Sequence, residues 1–373
     1  MSGAALALRS HPGWSRAALA PFASPWYVFP MDRRAFLAGA AASAAAATLL
    51  RTGVANAGSD ASLAVKPPSG FQPLSMPGRV VRVKKSGCLE ANGLFPRPDD
   101  AKVMLQRAMQ EMTGKADLVE AVKQFIHPQD KVCVKVNGIA LQNMASNKEL
   151  VLPFVEAMVA AGVPGRNITL LDQYPGFFQA TRIKPKDVPA GVVISWHSNS
   201  DATMDWRPIP GGGRAKFVRV LTEATALVNF SLVKDHSCHG FTGAMKNMTH
   251  GCNTNPQDFH QRHGSPQIAL LAAQDIFKTR LRLCILDGFK LMANGGPLYK
   301  APQYVIPHES VYVSTDPVAV DAVGWAEVEK ARAGFGLKTL KDDNREPAYI
   351  AAAADLGVGV ADLKKITLRD VTL

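Results

Sequence analysis

Apolar residues along the chain fall into two kinds of run. Short β-branched stretches alternate with longer ones in which apolar positions recur every three or four residues. RVVRVKK (79–85) predicts a strand. DDAKVMLQRAMQEMT (99–113) predicts a helix capped by Asp99 or Asp100. KVCVKVN (131–137) reads as a strand, and KELVLPFVEAMVAAG (148–162) as a helix ended by Gly162. Strands follow at ITLLD (168–172), VVISWH (192–197) and ALVNFSLV (226–233). Residues 265–279 read as helical, LRLCILDG (281–288) and SVYVS (310–314) as strands. Asp316-Pro317 opens a helix through VAVDAVGWAEVEKARA, and REPAYIAAAADLG (345–357) forms a last helix before the terminal KKITLRDVTL. Gly211-Gly212-Gly213 reads as a hairpin turn; it lacks the lysine and hydroxyl of a phosphate loop. Strands separated by helices predict an α/β fold: a doubly wound, mostly parallel sheet with helices on both faces, in one large domain over 79–373.

Polar residues stand where the apolar strands stop. Asn137, Asp172, His197, Lys234 and Asp287 each end a run. In an open α/β sheet, ligands bind outside the carboxyl ends of the strands, so the five are candidates for one rim. Any single one could instead cap a turn or the next helix. Asp316 is explained by capping alone. Asp321, inside the same helix, either reaches the rim or favours the helix N-terminal dipole.

The stretch KDHSCHGFTGAMKNMTHGCN (234–253) holds three of the nine histidines and two of the five cysteines. A helical turn over 242–250 would put Lys246 and His250 on one face. Imidazole and thiolate together suit zinc, copper or nickel, which makes His236, Cys238, His239, His250 and Cys252 a candidate ligand set. Neither H-E-x-x-H nor C-x-x-C is present, and surface or capping hydrogen bonds would equally account for the histidines. His260 and His263 repeat the i, i+3 spacing of His236 and His239. Lys234 and Lys246 could hold a carboxylate or phosphate, or, if buried, act as base or Schiff-base amine. The expected catalytic set is therefore Lys234, His236, Lys246, Asn247 and His250, with His236 and His250 as acid/base or metal-ligating groups and Asn247 orienting a ligand.

The N-terminal region changes the picture of where this happens. From Met31 the chain reads MDRRAFLAGAAASAAAATLLRTGVANAGSD, a twin-arginine pair, a weakly hydrophobic alanine-rich run and an A-x-A cleavage signal. The expectation is an export signal at 31–57, preceded by an upstream extension (1–30) and followed by a linker (58–78). Cleavage after Ala57 removes five arginines and one aspartate, so the net charge of +11 falls by 5 − 1 = 4 to +7. The alanine-rich run is too short for a stable membrane span, so a periplasmic protein delivered by the twin-arginine translocation machinery is expected. No basic run interleaved with aromatics suggests nucleic acid; a small anionic molecule is the expected partner. The cysteines (Cys88, Cys133, Cys238, Cys252, Cys284) form no clustered array, so no cysteine-only iron–sulfur cluster is expected.

KVNG (135–138), VNFSLVKDH (228–236), TGAMKNMTHG (242–251), LDGFKLMANGGP (286–297) and STDPVAVDAVGW (314–325) together resemble the domain-of-unknown-function family 362. The match runs in order over about 80–330. Val136, Asp235 and His250 depart from the family's usual residues, and the ferredoxin-type cysteine motifs of many relatives are absent. The resemblance implies that Lys135, Asn137, Lys234, His236, Lys246, Asn247, Asp287, Asn294, Asp316 and Asp321 occupy signature positions. Lys135, Asn137, Asp172, Asp287, Asn294 and Asp321 are accordingly the expected cofactor-binding set. The pattern is also distantly similar to the nickel-pincer lactate racemases, in which a lysine and histidines hold an organometallic cofactor. The expectation is an enzyme of redox or proton-transfer type, or else a non-catalytic carrier or assembly protein for a metal or cofactor.

Overall fold

A computed structural model describes residues 62–197, 206–211, 213–260 and 266–373. The expected export signal (31–57) and extension (1–30) lie outside the described residues. The strands are β1 (Arg79–Lys84), β2 (Val132–Lys135), β3 (Ile168–Asp172), β4 (Val193–Trp196), β5 (Arg207–Ile209), β6 (Gly213–Ala215), β7 (Ala226–His236), β8 (Gly240–Thr242), β9 (Leu281–Met292), β10 (Val305–Ser314) and β11 (Thr367–Thr372). The main sheet runs β11-β1-β10-β9-β7-β2-β3-β4, with β8 added antiparallel to β7. All neighbouring pairs from β9 to β4 are parallel; β10 is antiparallel to both its neighbours, and β1 pairs parallel with β11. This is the expected mostly parallel α/β sheet.

Alternation along the strands sorts the core into two layers. Val81, Val134, Leu170, Val228 and Ile285 face one layer, packed against helices Pro98–Thr113 and Lys148–Ala160. Cys133, Leu171, Leu227, Cys284 and Leu286 face the other, against helices Ala244–His250, Gln267–Ala272 and Pro317–Gly334. Period-two burial on both faces explains why these strands are apolar throughout. The connection from β2 to β3 lies on the first face and that from β7 to β9 on the second, so the winding reverses between β2 and β7. That reversal opens a crevice at the carboxyl ends, where ligands bind in such sheets. No helix of the described residues is long and apolar enough to cross a membrane.

Three local expectations are corrected. The helix at 98–113 begins at Pro98 behind Arg97, and its first-turn acids do not cap it; proline already fixes the starting φ and needs no amide partner. The stretch 265–279 is two short helices, Gln267–Ala272 and Asp275–Lys278. Asp287 does not end a strand, because β9 continues to Met292 past a register shift against β7. Asp316 does cap its helix, accepting from the amides of Val318 and Ala319 at 2.9 Å.

Candidate functional site

The histidine-rich stretch is not an open loop. β7 carries Lys234, Asp235 and His236, turns through Ser237–His239, returns as β8, and passes through Gly243 into helix Ala244–His250. Asp321 fixes that helix, accepting from the amides of Ala244 (2.5 Å) and Met245 (3.0 Å). A Cβ at Gly243 would stand 2.1 Å from the Asp321 carboxylate, so glycine is needed for this approach. Burial pushes Asp321 up to about 7 against the pull of those two amides. Its place is beneath the site, holding the helix, rather than on the ligand rim.

At the end of β2, Lys135 Nζ donates to Asp172 (2.8 Å), the Val136 carbonyl (2.5 Å) and Asn247 Oδ1 (3.1 Å). Asn137 Nδ2 donates to the same Asn247 oxygen at 3.0 Å, and Asn247 Nδ2 donates to Asn229 Oδ1 (2.7 Å) and the Phe230 carbonyl (2.9 Å). Asp172 also accepts from the Gly138 amide, and His197 Nε2 donates to the Gly251 carbonyl at 3.1 Å. Asn137 thus meets Asn247 and His197 meets Gly251 at the two ends of one helical turn, while Asp172 reaches Asn247 through Lys135. Asn247 is a buried tie between β2, β7 and the helix, with both amide donors and its oxygen committed.

Beyond this tie lies a cluster of imidazoles. The ring centroids of His236 and His239 are 4.5 Å apart, His239 and His260 5.0 Å, His250 and His260 4.9 Å, and His236 and His260 6.0 Å. Lys246 Nζ lies 3.3 Å from His260 Nε2. His260 Nδ1 lies 2.7 Å from the Pro256 carbonyl, which can only accept, so the proton is on Nδ1 and Nε2 offers a lone pair to Lys246. The same logic puts the His250 proton on Nε2, facing the Phe259 carbonyl at 3.1 Å, while Nδ1 meets the Thr249 hydroxyl at 3.2 Å. His236 Nδ1 accepts from the amides of Cys238 (3.1 Å) and His239 (3.3 Å).

Electrostatics follow from burial among like charges. Burial pushes Lys234 and Lys246 each down to about 7, and Lys234 presses further on Lys246. Burial, then the charge of Lys246, hold His236 and His250 well below the ordinary histidine range and bring His260 to about 4. Lys234 Nζ donates to the Pro297 carbonyl at 3.1 Å. Among the described residues neither lysine forms an ion pair with a carboxylate, although the charges of Asp235 and Asp172 partly offset the effect of burial on Lys234. The adjacent Asp235 is held by Arg345 at 2.7 Å and the Gly296 amide at 3.0 Å, with Arg332 at 3.8 Å.

Ligand nitrogens of His236, His239 and His260 lie within 4.8 Å of one another, near enough for a shared metal ion. The surroundings oppose a dication. The Lys246 amine touches His260, and His236 Nδ1 is turned to backbone amides instead of donating to an oxygen as metal-bound imidazoles do. His250 has both nitrogens engaged. Cys252 is wholly buried in the apolar layer against Cys133, whose thiol it holds up. Cys238 stays on the turn, half-buried, its sulfur near the Ser237 hydroxyl.

Two expected cofactor residues fall elsewhere. Asp287 accepts from the Asn147 amide (2.7 Å) and side chain (3.0 Å), in a network with Arg182 and Glu149, and burial raises it to about 6. Asn294 Oδ1 lies 3.3 Å from Arg345 and 3.5 Å from Arg332. Both are tied into structural networks rather than turned to the imidazoles. A separate cavity lined by Pro77, Met248, Phe277, Leu281, Thr315 and Asp316 lies toward the amino ends of the parallel strands, and its one carboxylate is saturated by four amides.

Fold and site together define an α/β protein with a buried amine–imidazole centre at a topological switch point. The chain belongs to the DUF362 family, described as a domain of unknown function, whose model matches residues 132–326. That span contains every residue of the centre. No curated protein matches the chain. Among solved structures it is similar to the lactate racemase apoprotein of Thermoanaerobacterium thermosaccharolyticum, with 11% identity and a TM-score of 0.35 over 68% of this chain. The aligned part spans 56% of that structure's length.

Proposed function

We propose that this chain is an exported, periplasmic enzyme that binds a small carboxylate-bearing anion beside Lys234 and Lys246 and moves a proton on it. The observation that carries the reading is a group of four imidazoles and two amines, all buried or nearly so, in which neither amine forms an ion pair with a carboxylate among the described residues. Burying a cation without a counterion is strongly unfavourable, so an anion is the occupant that would satisfy it. Lys234 supplies the charge that holds the ligand. Lys246, relieved of its proton near neutral pH, is suited to general base work, and His260 Nε2 can accept or return the proton. Asn137 and Asn247 keep β2 and the helix in register, so the amines stay in place when the ligand leaves.

The test is a titration of acetate and lactate into protein purified after native export, below and above about pH 7, where both lysines change charge. Binding should strengthen at the lower pH and vanish in Lys234→Met. A wild-type protein that binds neither acid at either pH contradicts the reading.

A non-catalytic metal carrier is the second reading, favoured by the 4.8 Å convergence of His236, His239 and His260. Elemental analysis of the same preparation separates the two. One equivalent of zinc, copper or nickel, lost on chelation, would favour the carrier.

A further inference from the structure

We infer that the β5–β6 hairpin carries a second anion site, outside the amine–imidazole centre, and that its ligand is a phosphate monoester. Trp206, Arg214 and Lys216 form it. The inference stands apart from the carboxylate reading and is tested separately from it.

The hairpin's register sets Pro208 against Arg214 and Ile209 against Gly213, and alternation gives it two faces. Ile209 and Ala215 enter the core layer that holds helix Ala244–His250. Arg214 and Lys216 share the opposite face, about 7 Å apart along the strand. Asn255 fixes the backbone of both. Its Oδ1 accepts from the Lys216 amide at 3.2 Å, and its Nδ2 donates to the Arg214 carbonyl at 2.8 Å. The Thr254 amide donates to the Lys216 carbonyl, also at 2.8 Å.

The two side chains meet one indole. Arg214 Cζ stands 5.6 Å and Lys216 Nζ 5.8 Å from the ring centroid of Trp206. A ring attracts a cation through its quadrupole but brings no countercharge. The indole thus orders both cations and leaves their two positive charges uncancelled. Among the described residues no carboxylate pairs with either; Asp258, the acid on the adjoining segment, is bonded to Asn255 at 2.8 Å instead. Lys216 is only 9% exposed, and its ammonium has no hydrogen-bond acceptor among the described residues. A covered cation without a counterion is unfavourable, and an anion relieves it. Trp206 and Arg214 are exposed, so the charges can be reached from solvent. Two charges on neighbouring same-face positions match a dianion. A phosphate monoester carries both negative charges on one group above its second pKa of about 6. The guanidinium fork takes two of its oxygens and the ammonium a third. Trp206 is the positioning residue that keeps both cations where one group spans them.

The experiment titrates methyl phosphate into the full chain by calorimetry, below and above the ligand's second pKa of about 6, with acetate in parallel. One equivalent should bind, more tightly at the higher pH because the ligand gains its second charge. That direction is opposite to the one expected for acetate at the amine–imidazole centre. Lys216→Met and Arg214→Gln should each weaken methyl phosphate by about tenfold or more. Lys234→Met should leave it unchanged. Trp206→Leu should weaken it by about threefold and Trp206→Phe restore it, since any aromatic face can hold the cations. If Lys216→Met does not fold, Arg214→Gln, at an exposed side chain, decides. Methyl phosphate that fails to bind at either pH, or binds undiminished in the Lys216 and Arg214 variants, overturns the inference and leaves the carboxylate reading untouched. Loss of methyl phosphate in Lys234→Met also overturns it, because the anion then sits in the centre. In Lys234→Met, acetate bound as tightly as methyl phosphate overturns the phosphate class.

Discussion

Replacing Lys234 by methionine should make the protein more stable, and only in a defined pH window. The side chain is wholly buried on β7, and methionine fills nearly the same volume without a charge. Burial moves the amine from its ordinary 10.5 to about 7. That displacement is about 5 kcal/mol of preference for the neutral form in the folded state. Between about 7 and 10.5 the unfolded chain binds a proton that the folded chain does not, so stability rises with pH across that range and is level below it. At pH 7 most of the penalty is present. Removing the amine relieves it and forfeits one hydrogen bond to Pro297, worth about 1 kcal/mol. The net gain should be about 2–4 kcal/mol near neutral pH and close to zero above about pH 10. Lys246, freed from the pressure of Lys234, shifts the result in the same direction. Urea denaturation of both proteins, dialysed free of carboxylates, at several pH values reads this directly. A variant less stable than wild type at neutral pH, or a difference that does not shrink as pH rises, would show that the burial of Lys234 is not a net cost to the fold.

Arg345→Ala should destabilise by about 3–5 kcal/mol, because it strips Asp235 of its nearest partner and leaves a buried carboxylate; thermal melts of the purified variant check it. Asp321→Ala removes the acceptor for two helix amides and should cost about 1–3 kcal/mol, together with weakened carboxylate binding as Lys246 loses its platform; equal binding in the folded variant would contradict the platform role. In Gly296→Ala the new Cβ would stand 1.8 Å from the Asp235 carbonyl, so a loss of about 3 kcal/mol or a failure to fold is expected in an expression and melting comparison. Cys252→Ser should leave metal content and carboxylate binding unchanged, since the thiol faces Cys133 in the apolar layer.

The layer architecture was legible because it is written in local pattern. Strands buried on both faces need unbroken apolar runs, and helices between them need the three-to-four repeat. The direction of β10 was not legible: SVYVS carries no mark of whether its strand runs with or against β9. Asp287 misled for a related reason. An aspartate after ILL-like residues resembles a strand end, yet its carboxylate is satisfied by Asn147, a partner 140 residues away. Lys234, Lys246, His236 and the amide tie at Asn247 could be picked out because they crowd one short stretch. His260 was visible only as half of a repeated spacing with His263; nothing local says that its ring turns back to Lys246. The arginines that neutralise Asp235 come from segments near the C-terminus, and no spacing rule links them to it.

Lys234, Asp235 and His236 sit in a strand hydrogen-bonded on one side to Thr242, Phe241 and Gly240, while Lys234 is matched on the other to Met292. Their amides should therefore be among the slowest in the molecule to exchange with deuterium. A strand paired on both edges at Lys234 and on one edge beyond it leaves these side chains little room to drift apart to ease mutual repulsion. The centre is left with two responses, shedding protons or admitting a negative guest, and a guest of the proposed kind would meet a backbone that needs little rearrangement.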